Sequence, residues 1–283
     1  MKKIVPGAKR ARDSAPPVRP FFGYYGGKWR DALKIYPPPE FGTVIEPFAG
    51  SAGYALRYHS KKVILCEIDP IVASVWSYLI RVTSREILEL PDMPLDGEAT
   101  VDDLPATVCQ EAKWLIGFWL NRGVSTPRKS PSLWMRAEIR PGSFWGVRVR
   151  QTIASQLHLI RHWKIYNREW WKCPMPRKTS RNPDRAGTWF VDPPYFGSVG
   201  AHYKFGSEQI NYAVLAQWCR TRPGQVIVCE NKGATWLPFD DRTFSAKTTR
   251  AKRSDEIFWS NDPAPIRPPV PAEPEPVQLA LAS

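Results

Sequence analysis

Four residues directly after an apolar run hold the most specific chemistry in the chain. They are Asp192-Pro193-Pro194-Tyr195, following Thr188-Trp189-Phe190-Val191. Two consecutive prolines fix φ and force Asp192 and Pro193 into extended conformations. Carbonyl groups in such a stretch lack ladder partners and can face a cavity as acceptors. An exocyclic base amine brings two N–H donors. One carboxylate and one rigid carbonyl can accept both, leaving the nitrogen lone pair localised for attack on a methyl group. Tyr195 adds a flat face on which a base can stack. The structural alternative is a rigid loop with Asp192 capping the next turn. It explains less, because this loop follows a strand, and open α/β sheets bind ligands at the C-terminal ends of their strands.

A second group lies at Glu46-Pro47-Phe48-Ala49-Gly50-Ser51-Ala52-Gly53. Small residues between a strand and a helix let a ligand approach the backbone at a positive helix end, although tight turns need glycine for packing too. Glu46 stands where a phosphate would be repelled. Glu67 ends the next apolar run, where ribose hydroxyls are commonly held. Acids at both strand ends suit a ligand that is cationic or hydroxyl-rich and lacks phosphate; S-adenosylmethionine is such a ligand. The third group is Phe21-Phe22-Gly23-Tyr24-Tyr25-Gly26-Gly27-Lys28. It reads equally as a structural corner or as a device that sets Tyr24 against an adenine ring and Lys28 near a ligand carboxylate.

The elements that must position these groups are legible from periodicity. Thr43 to Phe48 and Val63 to Cys66 read as strands, and the turn at 49–53 leads into a helix through Leu56 and Tyr58. Another helix is predicted from Ile71 to about Val82, with Pro70 suited to its first turn. Strand, small-residue turn, helix, strand and acid open a doubly wound parallel sheet. Helical pieces follow from 84 to about 122, and an amphipathic helix from Trp145 to Arg161. Strands resume at Thr188–Val191, Gln225–Cys229 and Glu256–Trp259. One sheet interrupted by a large insert accounts for the pattern. It divides the chain into a disordered basic tail (1–20), a catalytic domain (21–85 and 186–262), a mainly helical insert (86–185) and a Pro-rich disordered tail (263–283).

Composition narrows the partners. The chain has 283 residues, a formal net charge of +13, 43% hydrophobic residues and 13 Trp. It can build a core without disulfides or metals. Between 120 and 185 fifteen Lys and Arg oppose three acids, so a net +12 falls in that stretch. Basic side chains neutralise phosphates, and interleaved aromatics such as Trp134, Phe144, Trp145, Trp163, Tyr166, Trp170 and Trp171 can stack on bases. A solvated basic face over an ordinary core is the competing reading. Trp114, Phe118 and Trp119 read as core. Tyr203 and Phe205, between Gly197 and Gly206, are placed to line a lid over a base. Five scattered cysteines form no CxxC pair, so neither a disulfide framework nor a structural zinc site is supported. No apolar run is long enough for a membrane span, and the N-terminus lacks a secretory h-region, so the cytoplasm is expected.

Taken in order, the three groups resemble the Dam-like N6-adenine DNA methyltransferases. Tyr24 to Lys28 matches the family's aromatic-x-Gly-Gly-Lys motif and Glu46 to Gly50 its Glu-Pro-Phe-x-Gly turn. Glu67, the insert and Asp192 to Tyr195 come next in the family's order. The similarity covers about residues 21 to 260, though in the insert it is one of position and charge. It implies a Rossmann-like doubly wound sheet of the class I methyltransferase type with an inserted target-recognition domain. It implies S-adenosylmethionine as methyl donor, contacted by Tyr24, Lys28, Glu46, Phe48, Gly50, Glu67 and Asp192. It also implies methylation of a flipped adenine by Asp192, Pro193, Pro194 and Tyr195. The partner is then double-stranded DNA, gripped by insert residues such as Arg122, Arg128, Lys129, Arg136 and Arg140. No metal or membrane is involved, a monomer is favoured, and the setting is a bacterial or phage-infected cell, as in restriction–modification. Two positions depart from the pattern. Ala52 replaces the second glycine of the turn, with Gly53 one place later, and Glu67 stands where Asp is common, with Asp69 on the same face two residues on. Amino methylation of cytosine, methylation of RNA adenine, and a DNA-binding protein with a silent catalytic core are the alternatives.

Overall fold

The computed structural model describes residues 18–94, 96, 98–121, 123–137, 144–240, 244–247 and 253–261. The chain is an α/β protein built on a seven-stranded mixed sheet of order β3-β2-β1-β4-β5-β7-β6. The strands are β1 (Thr43–Glu46), β2 (Lys62–Glu67), β3 (Lys164–Asn167), β4 (Gly187–Val191), β5 (Gly224–Asn231), β6 (Phe244–Lys247) and β7 (Arg253–Ser260). The first five are parallel, while β7 runs antiparallel to β5 and to β6. Strand order reverses between β1 and β4, which leaves a crevice beyond their C-terminal ends.

Side-chain alternation explains why the sheet needs a layer on both faces. Val44, Leu65, Phe190 and Ile227 point into one buried cluster, and their neighbours Ile45, Cys66, Trp189, Val191, Val226 and Val228 into another. Period-two burial with apolar residues at both parities is what a parallel sheet covered on both sides requires. The first cluster is completed by α2 (Pro70–Arg81), α3 (Ser84–Glu89), α4 (Gln110–Trp119) and α6 (Val147–Gln156), the second by α7 (Tyr212–Arg220). The two remaining helices, α1 (Gly53–Arg57) and α5 (Leu133–Ala137), have five residues each.

Several boundaries differ from those expected of the sequence. β3 lies inside the span expected to be an insert, and the described helices of that span share one hydrophobic cluster with the strands. β3 escaped notice because it is a four-residue edge strand whose ends are exposed. The helix expected over 145–161 is α6 followed by a 3₁₀ turn at Leu157–Ile160. Residues 18 and 19, placed in the basic tail from the sequence, are held against the fold. Val18 is buried, its carbonyl accepts from Trp29 Nε1 at 2.7 Å, and Arg19 exchanges two hydrogen bonds with the Gln156 side chain. Residues 1–17 and the Pro-rich tail lie outside the described residues. Among the described residues no helix is long and apolar enough to cross a membrane, and all five cysteines are free.

Candidate functional site

A cavity of about 220 Å³ opens where the sheet order reverses. Its wall comes from the segments after β1, β2 and β4 together with Tyr24–Lys28, Glu169–Trp171 and Tyr203–Phe205. Of the residues singled out from the sequence, Tyr24, Lys28, Glu46, Phe48, Gly50, Glu67, Asp192 and Pro194 all line it. They come from four separate stretches of the chain, and the fold brings them to one place.

The 46–53 turn is held by its own acids. Glu46 Oε1 accepts the Ala55 amide at 2.6 Å, so this buried carboxylate braces the first turn of α1 as well as lining the cavity. Burial pushes its carboxyl well above the usual range. Glu67 accepts the Gly50 amide through one oxygen at 2.9 Å and the Asp69 amide through the other at 3.0 Å. A carboxylate offers about four lone-pair sites, so a fixed Glu67 keeps acceptor capacity for a ligand. Burial lifts it to about 7 against the pull of those two amides. Asp69 does something different. It caps α2 through the Ile71 amide at 2.9 Å, and Lys204 approaches it at 3.9 Å.

The shifted glycine of the turn has a steric explanation, whereas nothing in the structure explains the alanine at 52. Ala52 takes φ 51°, a left-handed conformation that glycine would adopt without strain. The glycine is needed at 53 instead, where a Cβ would lie 2.6 Å from the Trp29 amide nitrogen and 2.9 Å from that of Lys28. The helix end therefore packs directly on the Lys28 segment. Gly53→Ala is expected to destabilise the chain by about 1–3 kcal/mol through overpacking, a loss of several degrees in thermal melting. An unchanged melting temperature would show that the 28–29 backbone yields freely.

Lys28 is the electrostatic centre of the site. Its Nζ donates to the Gly26 carbonyl at 2.7 Å and lies 3.2 Å from Asp192 Oδ1 and 3.3 Å from Glu256 Oε1. Burial alone would lower the Lys28 pKa, but Asp192 and Glu256 outweigh it and hold the ammonium well above its usual value. Burial raises Asp192 to about 6, with Lys28 opposing and Glu256 adding to the rise. Glu256, on β7, is buried and also accepts from the Tyr36 hydroxyl at 2.8 Å. Sequence reasoning treated 256–259 only as a strand. The signal that was present is a carboxylate beside the apolar run Ile257-Phe258-Trp259.

The Asp192–Tyr195 loop is anchored from behind. Tyr212 Oη donates to the Pro194 carbonyl at 2.5 Å, and the Glu230 carboxylate, at the end of β5, accepts the Phe196 amide and Trp236 Nε1. Glu230 was not foreseen either. Pro193 and Tyr195 are not among the cavity-lining residues. Tyr195 is buried with Lys28 Nζ 4.9 Å from its ring centroid, and Gly200 packs so close to its backbone that a Cβ there would meet the Tyr195 carbonyl at 2.1 Å. Its hydroxyl lies beside Asp192, outside the geometry of a formed hydrogen bond. Tyr195 thus does not offer its ring to the cavity, and the aromatics lining it are Tyr24, Tyr25, Phe48, Trp170, Trp171, Phe190, Tyr203 and Phe205.

Tyr203 and Phe205, expected to line a lid, both line the cavity. The Tyr203 hydroxyl donates to the Tyr25 carbonyl at 3.1 Å, which ties the 197–206 segment across the cavity to the Gly-Gly turn. Phe48 stacks on Trp170, with centroids 6.3 Å apart and planes 25° apart.

The basic residues divide. Arg122 and Arg140 lie outside the described residues. Arg128 is exposed, Lys129 is exposed but paired with Asp102 at 2.7 Å, and Arg136 donates to the Asp96 carbonyl at 2.7 Å. The loop leading to Arg128 touches the cavity rim, where Val124 accepts the Tyr25 amide at 3.3 Å. Arg150 is buried against Asp92, and Arg161 caps the end of α2 through the Ile80 and Val82 carbonyls, so both are structural. Phe144, Trp145, Trp163 and Trp170 are buried; Trp171, half exposed at the cavity, meets Trp170 edge-on with centroids 5.2 Å apart. Phe118 packs on Phe22 and Trp119 Nε1 donates to the Phe21 carbonyl, as a core reading of α4 expects. No protein-family model and no curated protein sequence matches the chain.

Proposed function

We propose that the chain is a DNA methyltransferase that transfers a methyl group from S-adenosylmethionine to the exocyclic N6 amine of a flipped adenine. The observation that carries this reading is one cavity at the strand-order reversal, lined together by Lys28, Glu67 and Asp192. A Rossmann-like sheet of the class I methyltransferase type, its order reversing between β1 and β4, fits that placement.

The donor set suits the methyl donor. The acids Glu46, Glu67, Asp69, Glu169 and Asp192 line the cavity, with Lys28 and Lys204 as its only cations among the described residues, a poor phosphate site and a good one for a sulfonium and ribose hydroxyls. Glu67 would hold the hydroxyls, Phe48, Ile68 and the tryptophans at 170–171 the adenine ring, and Lys28 a carboxylate. S-adenosylmethionine supplies an electrophilic methyl group when bound. Ionised Asp192 accepts an N–H of the target amine and fixes its orientation. Anchoring by Tyr212 and Glu230 keeps the loop rigid, and the 197–206 segment keeps water out. Catalysis is then chiefly alignment, which needs no strongly basic group. A duplex reaches the cavity from the rim near Arg128, and extruding the base costs a few kcal/mol.

Incubating the chain with radiolabelled methyl donor and duplex DNA, then digesting to nucleosides, is expected to yield labelled N6-methyladenine. Label in N4-methylcytosine, or in RNA alone, would replace the base assignment. Absence of S-adenosylmethionine binding by calorimetry would overturn the enzyme reading altogether.

A further inference from the structure

The positive charge of this chain is not confined to the cavity end. Because β1 to β5 are parallel, everything that precedes a strand gathers at the opposite end of the sheet. Lys62 and Lys164 begin β2 and β3, Arg177, Lys178 and Arg181 lie in the loop before β4, and Arg220 ends α7 just before β5. All six are exposed, and none forms an ion pair among the described residues. The nearby acids on these segments are Glu40 and Asp184.

This end is contiguous and stiff. His162 Nε2 bonds the Lys61 carbonyl at 2.8 Å, which joins the starts of β2 and β3. The Gly187 amide donates to the Pro223 carbonyl at 3.2 Å, which joins those of β4 and β5. Within the 177–185 loop, Thr179 and Asn182 exchange backbone hydrogen bonds at 3.2 and 3.1 Å, and Asn182 Nδ2 donates to the Ala186 carbonyl at 2.8 Å. Arg181 sits at the tip of that closed turn.

At about 4.8 Å between neighbouring strands, the row from β3 to β5 spans about 19 Å. A duplex carries one charge per about 1.7 Å of axis, so the row can face several successive phosphates. Among the described residues the exposed large apolar side chains lie away from these strand starts, Val214 being six residues before Arg220 on α7, so the edge itself offers nothing to insert into a lipid surface. Five residues of β4, about 16 Å of extended chain, separate it from the loop after Val191. A duplex seated on the cavity rim therefore leaves this edge facing away.

We infer that the edge formed by Lys62, Lys164, Arg177, Lys178, Arg181 and Arg220 is a second duplex-binding surface, through which one chain holds a further DNA segment by its backbone. The inference goes beyond methyl transfer and is tested by binding alone.

Two 20-bp duplexes carrying donor and acceptor dyes are mixed with the full chain at low salt. Energy transfer between them, and sedimentation of one chain with two duplexes, are the expected results. The triple variant Arg177→Gln, Lys178→Gln, Arg181→Gln is expected to weaken the second binding event more than tenfold. Its log–log salt slope should flatten by about 3, from a loss of about 0.9 per phosphate contact. A variant with the same charge change elsewhere, Lys34→Gln, Arg81→Gln, Arg85→Gln, is expected to keep both duplexes. A wild-type chain that binds one duplex only, or equal losses in the two variants, overturns the inference. So does loss of phosphatidylserine-vesicle binding in the first variant with second-duplex binding unchanged, which would assign the edge to a membrane surface. If two duplexes bind and no methyl is transferred, the methyl-transfer reading fails and this surface stands.

Discussion

Asp192→Asn is expected to lower methyl transfer to duplex DNA by on the order of 10³-fold while leaving the fold intact. The amide presents N–H donors where the target amine needs an acceptor, so the substrate loses the partner that orients it. Stability should not suffer. Lys28 has Asp192 at 3.2 Å and Glu256 at 3.3 Å, so the trio carries one surplus negative charge that the substitution removes. A melting temperature equal to or above wild type, together with lost activity, is the expected pair of readings. Activity within tenfold of wild type would sink the proposed role of Asp192.

The same group sets a pH dependence. Asp192 rises from 3.8 to about 6 because burial outweighs the pull of Lys28. The ionised, working form is lost as pH falls through about 6, so activity should drop about tenfold per pH unit below that point. The effect on stability has the opposite sign. Between about 4 and 6 the folded chain binds this proton and the unfolded chain does not, so this group's contribution to stability declines as pH rises. Initial rates and thermal melts between pH 4 and 6 should run in opposite directions for this reason, and both should level off above that window.

The second large effect is expected at Lys28. Lys28→Met leaves Asp192 and Glu256 facing each other with no cation between them, and breaking a buried ion pair in this way costs about 3–5 kcal/mol. The melting temperature should fall by about 10 °C near pH 8. Two crowded carboxylates relieve their repulsion by taking up a proton, so the deficit should shrink as pH is lowered toward 5. In the wild type stability likewise falls with rising pH, but only at far higher pH. The Lys28 pKa lies well above 10.5, so its contribution is complete below that value and fades only above it. Adding Glu256→Gln to the Lys28 variant should recover most of the lost stability. A deficit independent of pH, or no recovery in the double variant, would show that Lys28 acts through packing rather than charge.

Much of the fold was legible because its cues are local. Alternating apolar runs marked β1, β2, β4, β5 and β7, and Pro70 marked the start of α2. β3 and β6 were not read as strands, because Lys164-Ile165-Tyr166-Asn167 and Phe244-Ser245-Ala246-Lys247 lack the apolar continuity of the equally short β1, and α7 was missed as well. Burial patterns on such short segments come from neighbouring strands, not from their own residues. Around the site, the Asp-Pro-Pro-Tyr, Glu-Pro-Phe and Gly-Gly-Lys groups were found by residue type and spacing. Glu256, Glu230 and Tyr36 were not, because nothing local distinguishes a buried carboxylate on a late strand from a solvated one.

The sequence by itself determined the candidate chemistry: an acceptor held by two prolines, acids at two strand ends, and a lysine after a glycine pair. Those properties belong to side chains and backbone constraints that act over a few residues. Only the tertiary structure decided how the charges pair and which way the rings face. It put Glu256 on Lys28 across more than two hundred residues, buried Tyr195 beside that lysine, and set Gly53 against the 28–29 backbone. It also split a single basic stretch between the two ends of the sheet. A parallel strand sends the segment before it to one end and the segment after it to the other, and that separation exists only once the strands are side by side.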